Sequence, residues 1–417
     1  MTGSPPASNR LVWLLAAVTL VGYGLRTNIT IAQEYMAPDL GLTMADMGII
    51  SAWGFQFVYA VFQLPGGFLG DRFGARLIMG LSIIGWSLAN LLSGLTVSTA
   101  GLAFLSLFAT RVLLGMTQAP TFPVAALAVT RAVPADRRVS AVSIYIASSM
   151  LGSALAPLTL APLMVAMGWR SVFIASSVVG LAMAVAWFAL APNDAPAATE
   201  RPARLLGLQV RESLALLRDR NLLVLSASYF LHSAVHFVFV FWFFRYLTEG
   251  RGFSVLASGG WGSLPNLMAF AVAPVLGIAI DRWSRRIDAP VARQRAAMAS
   301  LITSAVLVTI GANLPSATLA ILALGASVAL ISSTESPFWT TAAAIGRDNP
   351  GSAGGVLNLM GNLGGVVSIW LVPPMKDAWG WTAMLGFWAA MQVTAALLWL
   401  LVRPPAPALS ATNASRP

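Results

Sequence analysis

Gly67-Phe-Leu-Gly-Asp71-Arg72-Phe-Gly74-Ala-Arg76 is a short polar stretch set between two long apolar runs, and it returns later in the chain. After 210 residues, Gly277-Ile-Ala-Ile-Asp281-Arg282 again closes an apolar run. A second landmark, Gly168-Trp169, comes back as Gly380-Trp381 after 212 residues. Two unrelated landmarks that agree on one spacing mean that the chain is built twice.

The apolar runs on either side of these landmarks decide what is repeated. The 417 residues are 57% hydrophobic and only 10% charged, with a mean hydropathy of +0.77. A soluble chain would carry about 25% charged residues. Runs of about 18 apolar residues are long enough to cross roughly 30 Å of hydrocarbon. Inside lipid every backbone N–H and C=O needs an internal partner, so such runs form helices. The short alternating segments of a membrane barrel are absent from the sequence. The predicted fold is all-α, with twelve transmembrane helices in two six-helix halves. Helices are expected over residues 11–31, 47–69, 77–95, 102–129, 139–167 and 171–190, then 222–247, 259–280, 296–312, 317–344, 354–372 and 381–402. The expected domains are an N-tail (1–10), an N-terminal half (11–191), a linker (192–221), a C-terminal half (222–402) and a C-tail (403–417). The linker, with Arg201, Arg204, Arg211, Arg218 and Arg220 among leucines, suits a short helix lying on the lipid surface. Two halves of this kind place a transport site near the midplane between them.

A net charge of +10 raises the possibility of a nucleic-acid partner, but the placement of the charges argues against one. Of 25 Lys and Arg, 19 lie in the tails and alternate loops. Four lie in the opposite loops (Arg170, Arg245, Arg251, Lys376) and two inside apolar runs (Arg26, Arg111). This is the positive-inside asymmetry, and it predicts an inner-membrane protein with both termini in the cytoplasm and the lipid bilayer as its surroundings. There is no cysteine, which excludes disulfides and thiolate metal sites; no metal or cofactor is expected. The first apolar run continues past residue 30 without a small-residue cleavage site, so it reads as a first membrane helix. Glu34, Asp39 and Asp46, after that run, are expected to stay solvated and to cap the second helix.

A few polar residues interrupt the runs. Arg26, in Gly22-Tyr23-Gly24-Leu25-Arg26-Thr27-Asn28, has no acid within four positions on either side. An intramembrane cation faces a cavity and pairs with something. It grips an anion through its planar fork, or it pairs with a structural acid such as Glu335. Arg111 is a second intramembrane arginine, either hydrogen-bonded structurally or touching substrate. Glu335, in Ile331-Ser-Ser-Thr-Glu335-Ser-Pro337, is the acid that lies deep in a run. His232 and His236 share one helix face, as neutral packing residues or as titrating ones.

The stretch from Gly67 to Arg76 resembles the signature loop of the major facilitator superfamily, with all its fixed positions (Gly67, Asp71, Arg72, Gly74, Arg76) filled. Such a loop is expected to act as a charge latch that favours one orientation of the halves. Further residues resemble the superfamily's anion:cation symporters. These are Tyr23 and Arg26; Gln63-Leu-Pro65-Gly66-Gly67; the frame Arg111, Gly115 and Phe122-Pro123; Met167-Gly168-Trp169-Arg170; Arg251-Gly252-Phe253-Ser254; and Asn358 and Asn362-Leu-Gly364-Gly365. The resemblance implies that Tyr23 and Arg26 hold a substrate carboxylate, that Arg111 lines the pocket, and that Asn358 or Asn362 binds substrate hydroxyls. Two departures stand out. Leu25 and Gln118 occupy the places of two acids that usually exchange the coupling proton. Gln118 can hold a hydroxyl but cannot titrate. If coupling has moved, Glu335 and His232 are the candidates to carry the proton.

The resulting expectation is a monomeric secondary transporter that imports a small organic anion by alternating access with a coupling proton. The substrate is a carboxylate such as a sugar acid or an aromatic acid. Anion exchange or uniport without a proton is the alternative. A transporter-like sensor would need a larger cytoplasmic surface than the linker offers, and an exporter of cationic drugs would need an acidic or apolar pocket. No nucleophile–base pair, metal cluster or phosphate loop points to an enzyme.

Overall fold

The computed structural model describes residues 6–99, 101–193, 211–212 and 214–403. The expected C-tail beyond Arg403 and most of the expected linker helix, including Arg201 and Arg204, lie outside the described residues. Helix α1 is Pro6–Leu40, α2 runs over 44–73, α3 is Ala75–Gly94 and α4 is Leu102–Ala132, broken at Ala119 and Pro120. Helices α5 and α6 run over 138–167 and 169–190, on either side of Gly168. The second half holds α7 (Arg220–Gly250), α8 (Val255–Ser284), α9 (Ala289–Asn313) and α10 (Ala317–Gly346). It ends with α11 over 350–379 and α12 over 381–398. Among the described residues, ten helices are long and apolar enough to cross a membrane, and the bent α2 makes eleven. The tenth, Pro350–Leu401, spans twice because it folds back at Gly380. That yields the twelve spans expected from the sequence.

Each landmark that revealed the repeat has a structural job. Gly168 (φ 78°, ψ 154°) and Gly380 (φ 74°, ψ 171°) form the sharp corners between α5 and α6 and between α11 and α12. This backbone region is essentially closed to residues with a Cβ. Gly67 and Gly277 sit where helices of opposite halves cross. A Cβ on Gly67 would run into the Gly351 carbonyl oxygen, and one on Gly277 into Ser143.

Asp71 and Asp281 tie the halves together. Asp71, near the end of α2, accepts the Gly351 N–H (2.9 Å) and the Ser352 N–H (2.7 Å) at the start of α11. Asp281, near the end of α8, accepts the Val139 N–H (3.3 Å) and the Ser140 N–H (2.7 Å) at the start of α5. The first N–H groups of a helix lack intrahelical partners and carry positive dipole, so each carboxylate caps a helix of the other half. Within the expected latch, the Asp71 carboxylate caps this helix N-terminus, and Arg131 donates to the Asp71 main-chain carbonyl (3.3 Å). Arg72 lies over the Phe73 ring, and Arg76 reaches the Phe188 carbonyl and Asn193. An Arg285–Asp136 ion pair adds a link on this same basic face. On the opposite face the described ion pairs stay within one half: Asp39 with Arg170, and Glu249 with Arg245 and Lys376. The molecule is thus clasped at its basic face.

Asp46 belongs to a capping box with Thr43 at the start of α2, as expected. Asp39 instead pairs with Arg170 and accepts from the Trp169 indole.

Candidate functional site

Arg26 projects from α1 toward α2 and keeps partial exposure. Its guanidinium carbon lies 4.6 Å from the Phe55 ring centre, 4.8 Å from that of Tyr59 and 5.3 Å from that of Tyr23. Aromatic faces attract a cation electrostatically, so these rings take the place of an acid. Nη2 of Arg26 donates to Gln56 Oε1 (3.0 Å), and Nη1 approaches the Tyr23 hydroxyl (3.5 Å). Gln56 lies in a π-helical stretch of α2, Ile50–Phe57, an irregularity frequent at functional sites.

From Gln56 a polar chain crosses to the other half. Gln56 Nε2 donates to Asn362 Oδ1 (2.7 Å), Asn362 Nδ2 to the Asn358 carbonyl (2.8 Å), and Asn358 Nδ2 to Gln63 Oε1 (2.8 Å). The two asparagines of α11 therefore do face the first half, near the arginine. An aromatic wall leads from Arg26 deeper between the halves. The Tyr23 ring lies 5.7 Å from Phe122, and Phe122 lies 5.7 Å from Trp339 and 5.9 Å from Tyr145. The Trp339 indole N–H then donates to Glu335 Oε2 (3.2 Å).

Glu335 ends this wall. Tyr229 donates to its Oε2 (2.6 Å), and His232 Nε2 stands 3.0 Å from its Oε1. His232 is fully buried, whereas the Glu335 side chain keeps 14% exposure. The Arg26–Glu335 ion pair held open by the sequence is not what forms; His232 is the partner, 103 residues away in sequence. On its other side, His232 Nδ1 lies 3.1 Å from Thr334 Oγ1, which itself donates to the Ile331 carbonyl (2.7 Å). A hydroxyl both donates and accepts, so the Thr334 contact serves either imidazole tautomer of His232. His236, the next residue on that face, stacks 6.4 Å from His232 and has no carboxylate partner among the described residues.

Two expected site residues lie elsewhere. Arg111 is 1% exposed, donates to Ser93 Oγ (2.8 Å) on α3 and lies 5.8 Å from the Phe173 ring of α6. It is enclosed within the first half rather than lining the space between halves. Its Cβ packs near Gly54 of α2, and the long side chain continues toward the hydroxyls inside the half. Gln118 is 2% exposed and donates to the Gly22 carbonyl (2.9 Å), pinning α4 to α1. Conversely, Phe55, Gln56, Tyr59, Tyr229 and Trp339 belong to the site and were not singled out beforehand. Gln56 was detectable as the polar break in Trp53-Gly-Phe-Gln56-Phe57. The aromatics carry no such signal in a chain this rich in them.

A family model described as Major Facilitator Superfamily matches residues 12–369. A probable galactarate/D-glucarate transporter of Bacillus subtilis is 31% identical over 293 residues, which cover 65% of this chain and 64% of that protein, just under two thirds of its length. A D-galactonate transporter of Escherichia coli is 26% identical, covering 93% of this chain and 94% of the relative. Among solved structures, the human organic anion transporter MFSD10 superposes with a TM-score of 0.68 at 17% identity, covering 95% of this chain and all of that one. The E. coli fucose:proton symporter FucP gives 0.72 at 14%, covering 96% and 100%. At these identities the two structures speak for the fold.

Proposed function

Because the chain belongs to the major facilitator superfamily, we propose that it is a secondary active transporter, importing a small carboxylate by alternating access. The observation that carries this reading is Arg26, an intramembrane cation with no acid against it among the described residues. It is partly exposed between the halves and held by aromatic rings and one amide. A carboxylate fits its planar fork bidentately, and the low-dielectric surroundings strengthen that contact. The named substrates of the relatives, galactarate, D-glucarate and D-galactonate, are sugar acids, which supports the same substrate class here. The protein is a carrier, not an enzyme. It lies in the inner membrane with its basic face, and so both termini, toward the cytoplasm, in keeping with the positive-inside asymmetry. It works as a monomer, since each half supplies one wall of the site. Clasped at the basic face, the structure stands for the orientation open or opening outward.

Coupling to a proton is placed at Glu335 and His232, because Leu25 and Gln118 cannot titrate. Those same two residues favour the second reading, an exchanger or uniporter that uses no proton. Uptake into proteoliposomes separates the two. Proton coupling requires faster uptake with an inward proton gradient and loss of that effect with a protonophore. For the anion site, R26K keeps the charge but loses the bidentate fork. Affinity is expected to fall about 10- to 100-fold, from lost charge-assisted hydrogen bonds of roughly 1.5–3 kcal/mol. Uptake by R26K equal to wild type at equal expression refutes the role of Arg26.

A further inference from the structure

Resting on the carboxylate-carrier reading, we propose that the site is charge-matched to one monocarboxylate travelling with one proton, and that it rejects dicarboxylates. The charged and titratable groups along the wall between the halves are few. Among the described residues, from α1 come Tyr23 and Arg26, from α2 Tyr59, from α5 Tyr145, from α7 Tyr229, His232 and His236, and from α10 Glu335. Arg26 is the cation of this set. Arg111 is turned into the first half onto Ser93, where a substrate between the halves does not meet it. The aromatic wall runs from Arg26 through Tyr23, Phe122 and Trp339 to Glu335. One end of a bound molecule therefore meets a cation and the other meets a carboxyl group.

The pair of His232 and Glu335 has two hydrogen-bonded states. In the first, Nδ1–H donates to Thr334, and one proton is shared between Nε2 and Oε1, so the pair is neutral. In the second, that proton has left. Nε2–H donates to the carboxylate, Nδ1 accepts from the Thr334 hydroxyl, and the pair carries one negative charge. Thr334 can serve both states because a hydroxyl donates and accepts. The pair is never positive in either state, so it offers nothing to a second carboxylate.

The charge balance follows. The empty, deprotonated site holds Arg26 and one anionic pair. Loading brings one carboxylate and one proton, and the total charge is unchanged. A dicarboxylate would leave one surplus negative charge beside Glu335 in a low-dielectric space, where like charges in contact are strongly disfavoured. The monocarboxylate carrier is thus electroneutral, and the aldarates named for some relatives are excluded.

The test uses purified full-length protein and two pairs of acids matched in skeleton, galactonate with galactarate and benzoate with terephthalate. Binding is read by thermal shift, and uptake in proteoliposomes is read under separate pH and potassium-diffusion gradients. At least one monocarboxylate is expected to bind about 10-fold or more tighter than its partner diacid. Its uptake should follow the pH gradient and ignore the membrane potential. In Glu335→Gln the preference against the diacid should narrow and the pH response should vanish, and one cooperative thermal transition without ligand shows that the variant folds. Equal binding of a diacid, or uptake driven by potential, overturns the charge match and leaves the carrier reading standing. Failure of all four acids to bind removes the carboxylate-carrier reading itself.

Discussion

On the proposal that Arg26 holds a substrate carboxylate, Gln56 occupies one arm of its fork. The Gln56 carbonyl oxygen occupies a place on the guanidinium that a carboxylate oxygen would take, while its amide nitrogen holds Asn362 of the other half. A substrate must displace this contact before it can use both arms of the fork. Removing the amide in Gln56→Ala should therefore tighten substrate binding by about 5-fold, the equivalent of one net hydrogen bond near 1 kcal/mol. Isothermal titration of wild type and variant checks this. A weaker or unchanged affinity would show that Gln56 is part of the receptor rather than its stand-in.

Among the elements, the glycine corners carry the sharpest constraint. Gly168 and Gly380 reverse the chain between two membrane helices with no intervening loop. Nothing lies within 4 Å of a Cβ built on either, so the demand comes from the backbone and not from crowding. Gly168→Ala and Gly380→Ala are each expected to destabilise the protein by about 1–3 kcal/mol. Thermal unfolding in detergent measures the effect, and an unchanged melting temperature would contradict the strained-corner account. Gly67 and Gly277 illustrate the other use of glycine, a close helix crossing where a side chain has no room.

For the whole molecule, the decisive feature is the paired capping of α11 by Asp71 and of α5 by Asp281. These contacts join opposite halves, so opening the basic face would break them and they bias the equilibrium between orientations. Asp71→Asn and Asp281→Asn each weaken a charge-assisted contact, and since the two carboxylates share no partner they should act additively. The double variant should shift toward an opened basic face. Since the chain has no native cysteine, a single Leu357→Cys reporter, buried in the present state, can follow this by maleimide labelling. Labelling should speed up in the double variant; the same rate in both backgrounds would count against the clasp.

Span number, the twofold plan and the signature loop were all legible in the sequence, because apolar length and repeat spacing are properties of the chain read in order. Arg26 also stood out, since a charge in an apolar run advertises its cost, whereas Tyr23, Asn358 and Asn362 were pointed to only by the family resemblance. What only the tertiary structure decided is which polar groups meet. Asp71 finds its partner 280 residues on, His232 finds Glu335 rather than leaving it to Arg26, and Arg111 folds into its own half. The physical reason is that a long side chain's partner depends on helix rotation and on the packing of helices distant in sequence, and no local pattern encodes either.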